Sequence, residues 1–219
     1  PPVEPGPGSG AGDGGPAAED VAAEVALASA ALGEAVNALL EQDRAHAEGM
    51  DKLIAPAAFA PRLRNTDLGI RGFLGRQHPS PAMSTLSELR RLRGSTARMI
   101  TATRTFILNL HVAPPDAYKT ALAEWTEQAP LAAEAVAEQI TDASRRDVGS
   151  RVASLDTISR RLLDALSGID DEDRSLRNTT LLLAIGLELM DVADCLAQLA
   201  AIARSQQDAA AGLQADSAS

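Results

Sequence analysis

The chain has 219 residues and a formal net charge of −10, with hydrophobic residues at 45% but aromatics at only 2%. That length suffices for one domain with a sizeable core, or for two small related units. The acidic balance argues against nucleic acid, where affinity rests on cations that release counterions, and one Trp, one Tyr and three Phe leave few platforms for stacking bases.

The same charge disfavours adhesion to an anionic membrane surface. Alanine and leucine carry most of the apolar content, a mixture that favours helices, and no run of alternating β-branched residues suggests a sheet. A lone Cys195 excludes an internal disulfide and fits a reducing, cytoplasmic setting. The longest apolar run, Thr179 to Leu187, is about half of the ~20 residues a spanning helix needs. No insertion of this segment into a membrane is therefore expected, and no signal peptide is visible. The start at Pro1 rather than Met marks the sequence as processed or as an excerpt, which leaves a tether to a membrane protein open.

Residues 1–16, "PPVEPGPGSGAGDGGP", read as a disordered Pro/Gly linker that cannot repay the entropy of ordering. Gly10, Gly12 and Gly15 match G-x-G-x-x-G by chance, because no strand precedes them. Val21, Val25, Leu32, Val36 and Leu39 then form the stripe of a first helix, expected to reach about Leu53 before Pro56 and Pro61. A short helix is expected from Asn65 or Thr66 to Arg76, with Gly69, Gly72 and Gly75 along one side.

After the break "HPSP", Thr85 and Glu88 read as a capping box. Leu86, Leu89, Leu92, Met99, Phe106 and Leu110 supply the stripe that follows. "APPD" is a second break, with Asp116 as N-cap of a helix carrying Tyr118, Leu122 and Trp125 and kinked or restarted at Pro130. Ile140, Val148, Val152, Leu155, Ile158, Leu162 and Leu166 continue a helical stripe to Ser167-Gly168. The last helix opens in "DDED", at the positive end of its dipole, and closes near Arg204. The tail 205–219 is expected to be disordered.

The two parts of the chain resemble each other: "LGEAVNALLEQD" at 32–43 parallels "AAEAVAEQITDA" at 132–143. This divides the chain into a first helical repeat, 17–112, and a second, 113–204. The expected fold is all-α, an antiparallel bundle of about six helices in two related three-helix halves.

The chemistry-bearing residues are few. Glu188, Asp191 and Asp194 interrupt the final apolar stretch three apart and fan over about 120° of helix. They read as a solvated or Arg-paired edge, or else as a site for a divalent or ferric cation with Glu34 and Asp43, or Glu134 and Glu138, opposite. Arg90, Arg91, Arg93, Arg98 and Arg104 gather positive charge on the third helix; they are expected to meet the acidic helix ends or an anionic partner. His46, His78 and His111 lack any zinc-binding spacing. Cys195 reads as a small buried hydrophobe, and the Asn178-Thr179-Thr180 sequon lies inside a helix. No nucleophile-and-base set is present, so no enzyme activity is expected.

Two tandem helical units ending in "LAIGLELMDVADCLAQLA" resemble PhoU-like proteins, which also occur as the carboxyl-terminal cytoplasmic part of sodium/phosphate cotransporters. The resemblance implies a pair of similar three-helix bundles. It also implies an acid and an Asp four apart on the last helix of each repeat, binding metal. Glu188 matches the acid, but Val192 stands at the fourth position, and "STARMITATRTFILNL" in the first repeat has no carboxylate.

The sequence thus points to a non-enzymatic regulatory or interaction domain linked to phosphate transport, docking on a protein or on a membrane transporter domain, with a homodimer among the expected assemblies. The alternatives are a carboxylate metal-binding bundle (enzyme or storage), a soluble helical domain of a membrane exporter, and a structural dimerisation module.

Overall fold

The computed structural model describes residues 16–54, 81–109, 112–142, 147–167 and 176–217. Every regular element among them is helical. They are α1 (Ala18–Glu41), α2 (Arg44–Gly49), a 3-10 turn (Met50–Ile54), α3 (Pro81–Asn109), α4 (Asp116–Thr141), α5 (Val148–Ser167) and α6 (Leu176–Ser217). The all-α bundle follows from the sequence periodicity, because each long helix has a stripe of alanine, leucine or valine and must bury it against another helix.

The first helix stops earlier than its stripe suggested. Gln42 takes a left-handed conformation at φ 54° and folds its side-chain Nε2 back to donate to the Leu39 carbonyl at 2.8 Å. Asp43 then accepts from the His46 backbone N–H at 3.0 Å and caps α2. An N-cap aspartate written directly after the stripe starts a new helix, and this local signal overrides the periodicity that runs on to Leu53. The expected helix at 65–76, the linker 1–15 and the "DDED" run lie outside the described residues.

Three other boundaries differ. The helix expected to begin near Thr85 begins at Pro81, because proline suits a first turn; the Thr85 hydroxyl donates back to the Pro81 carbonyl instead of capping. Pro115, not Asp116, is the N-cap of α4, which runs through Pro130 as one helix. The last helix does not end near Arg204 but continues to Ser217, through alanines that favour helix, and Gln207 Nε2 donates to the Gln139 carbonyl at 2.6 Å.

The packing has a definite order. α1 packs most extensively on α4 and α3 on α6, while α5 bridges α4 and α6 and α1 also touches α3. The starts of α1 and α3 line the same cleft as Ile140 near the end of α4 and the later part of α6. So α1 runs antiparallel to α4, and α3 antiparallel to α6. One cluster of buried residues draws on all five long helices, from Val21 and Leu32 through Met99, Trp125 and Leu162 to Leu189. The division at 112/113 therefore runs through a shared core, since both dominant helix pairs straddle it.

One polar contact and one close approach tighten the second half. The buried Tyr118 hydroxyl donates to the Leu182 carbonyl at 2.7 Å. Gly186 lets α5 and α6 approach closely, because a Cβ there would stand 2.8 Å from Leu163 Cδ2. One described helix, α1, is long and apolar enough by composition to cross a membrane, with a window of mean hydropathy 1.4, and half of that window is buried inside the bundle. The longest uninterrupted apolar run, 179–187, lies in α6, whereas α1 owes its hydropathy to alanines spread among acidic residues with no Lys or Arg.

Candidate functional site

The carboxylates at Glu188, Asp191 and Asp194 and the arginines of α3 belong to one structure. Because α3 and α6 are antiparallel, Arg91 comes level with Asp191 and Asp194, and Arg98 level with Glu188. Arg91 donates through Nε to Asp191 Oδ1 at 2.7 Å, and its Nη2 reaches the same oxygen. That Nη2 also lies 3.2 Å from Asp194 Oδ2, and Nη1 lies 3.5 Å from Glu88 Oε2.

Arg98 grips Glu188 through both carboxylate oxygens, Nε to Oε1 at 2.7 Å and Nη2 to Oε2 at 2.9 Å. Between the two arginines, buried Ser95 donates its hydroxyl to Asp191 and accepts from Arg98 Nη2 at 3.0 Å. The result is a ladder in which each arginine spans two rungs. Arg91 joins Asp191 and Asp194, while Arg98 joins Glu188 and lies 3.8 Å from Asp191.

The electrostatics follow from these contacts. Partial burial pushes the Asp191 carboxyl up, but the hydrogen bonds from Arg91 and Ser95, with the charges of Arg91 and Arg98, outweigh it and hold the group below the usual carboxylate range. The hydrogen bond to Asp191 raises the Arg91 guanidinium, and the one to Glu188 raises Arg98. Cys195 sits fully buried beside the ladder, and burial pushes its thiol up to about 12, so it stays protonated and unreactive.

Of the arginines singled out from sequence, Arg91 and Arg98 thus meet Glu188, Asp191 and Asp194. Arg90 and Arg93 are half-buried on the same helix, and Arg104 pairs with Asp51 at 3.4 Å. Glu34 does not face the carboxylates of α6; it lies 3.9 Å from His46 Nε2. Asp43 is spent as a helix cap. Glu134 is exposed on α4, and among the described residues no three His, Cys, Asp or Glu side chains converge on a point where a metal could sit. Guanidinium groups already engage both oxygens of Glu188 and one each of Asp191 and Asp194.

Sequence reasoning missed a different feature, on the outer face of α6. Leu176, Leu183 and Leu187 are exposed, at 82%, 41% and 44%. Spacings of seven and four place them within about 40° of one another on the helix. In the sequence they merge with their neighbours into one apolar stretch. The signal that distinguishes them is that the core stripe of α6, with Leu182, Ile185, Leu189, Val192, Leu196 and Leu199 buried, is complete without them. The chain matches no family model, no curated protein and no solved structure.

Proposed function

We propose that this chain is a non-enzymatic interaction domain whose docking face is the outer side of α6. The observation that supports the reading is the row Leu176, Leu183 and Leu187, left in solvent on a helix whose core stripe is otherwise filled. Exposed leucines aligned on one helix face lose free energy in water and gain it against a partner, at about 25 cal/mol per Å² of apolar surface covered. The arginine–carboxylate ladder beside them holds α6 in place against α3, so the row is presented on a fixed helix. The PhoU-like resemblance would add a role in phosphate transport, but that family's metal chemistry needs a free acid at Glu188, and Arg98 engages both of its oxygens.

Affinity enrichment from cells carrying the wild-type chain and a Leu183→Asp/Leu187→Asp variant tests the reading. A partner, whether another protein or another copy, retained by the wild type and lost by an equally folded variant supports it. Identical enrichment profiles contradict it.

A further inference from the structure

The outer row of α6 is longer than its leucines. Exposed Thr180 falls between them, half-buried Met190 follows, and then Asp194, whose carboxylate is largely in water. The set 176, 180, 183, 187, 190, 194 alternates steps of four and three, the spacing of a coiled-coil seam, and lies within about 80° of helix. This seam is also symmetric. Counted from both ends toward residue 185, Leu183 mirrors Leu187, Thr180 mirrors Met190, and Leu176 mirrors Asp194.

We infer that a second copy of this chain docks on the seam, with the two α6 helices antiparallel about a two-fold axis at residue 185. A two-fold interface requires residue i to meet j and j to meet i, and an antiparallel pair about residue 185 meets that condition with Leu183 against Leu187 at its centre. The ends are complementary in charge. Arg177 is exposed, makes no ion pair among the described residues, and comes level with residue 193 of the second copy, one position from Asp194. Asp194 meets Arg91 through one oxygen and keeps most of its carboxylate in water, so an incoming cation can approach it. Two symmetric Arg177–Asp194 pairs offset part of the repulsion between chains of net charge −10. The inference rests on the proposed docking face and names its occupant.

Sedimentation of the whole chain across a range from about 1 to 100 μM, where interfaces of this kind associate, tests it. The expected result is a concentration-dependent dimer that Leu183→Asp weakens at least tenfold and Arg177→Asp weakens severalfold, each with an unchanged thermal transition at a concentration where the wild type is monomeric. A Thr180→Cys/Met190→Cys variant is expected to form disulfide-linked dimers on mild oxidation, which fixes the antiparallel register independently of the charge changes. A chain that stays monomeric throughout, a dimer indifferent to Leu183→Asp, or cysteines that fail to link the dimer overturns the inference. If the chain is monomeric while Leu183→Asp/Leu187→Asp still strips a different protein from its complexes, self-docking falls and the interaction-domain reading stands.

Discussion

At the scale of single residues, Asp191 is held by two side chains of α3 at once. It accepts from Arg91 and Ser95 and lies 3.8 Å from Arg98, with a quarter of its surface in water. Because its folded pKa lies below the value of a free carboxyl, its stabilising effect is fully present above the unfolded pKa of about 4 and is lost as pH falls through the folded value. Asp191→Asn is therefore expected to lower stability at pH 7. The gap from wild type should close on acidification below pH ~4, in urea melts repeated along a pH series. A gap that is constant with pH would mean that the carboxylate charge does nothing there.

Tyr118 gives a second residue-scale expectation. Burial raises its hydroxyl far above the usual phenol range, so it remains a donor to the Leu182 carbonyl at every ordinary pH. Removing that donor in Tyr118→Phe is expected to cost about 1 kcal/mol, read from the shift in urea midpoint, with no dependence on pH between 5 and 9.

At the scale of elements, Pro130 is the clearest anomaly. It is exposed and sits inside the unbroken helix α4, where it lacks the N–H that would bond the carbonyl four residues before it. Pro130→Ala is accordingly expected to raise stability by about 1–3 kcal/mol, seen as a higher melting temperature. Gly186 is the opposite case. Gaining a methyl in Gly186→Ala is expected to be nearly neutral, since Leu163 Cδ2 can swing away and the helix gains about 1 kcal/mol of propensity. Gly186→Val should cost about 1–3 kcal/mol by overpacking the α5–α6 contact.

Much of the element list was legible in the sequence, because stripes such as Leu86, Leu89, Leu92 and Met99 announce a helix whatever its neighbours are. The ends were harder to read. Gln42 has no glycine to mark its left-handed turn, and the alanines after Arg204 look like a fraying tail until Gln207 is seen to reach α4. The pairing of Arg91 with Asp191 was foreseeable only as a class, arginine with acid. Which of five arginines meets which carboxylate depends on the register of two antiparallel helices a hundred residues apart in the chain. The exposed row on α6 was hidden by composition, since a leucine facing water and a leucine facing the core read alike until the core is full.

For the whole molecule, the two dominant helix pairs join the first part of the chain to the second, and the ladder lies on one of them. The acidic comb of α6 thus belongs to the architecture, and the proposed docking row lies on the solvent face next to it. The arrangement has an energetic consequence. An ion pair half open to water is screened, so the Arg91–Asp191 rung is worth less than a fully buried pair, though its geometry and its third partner Ser95 raise it above an ordinary surface pair.

The most direct test of this assignment is a double-mutant cycle in which Arg91→Ala, Asp191→Ala and the double variant are unfolded by urea alongside the wild type. The account expects a coupling energy of about 1–2 kcal/mol, with no change when manganese or ferric iron is added. A coupling within error of zero, together with a melting temperature that rises on adding either metal and stops rising in Asp191→Ala, would contradict it.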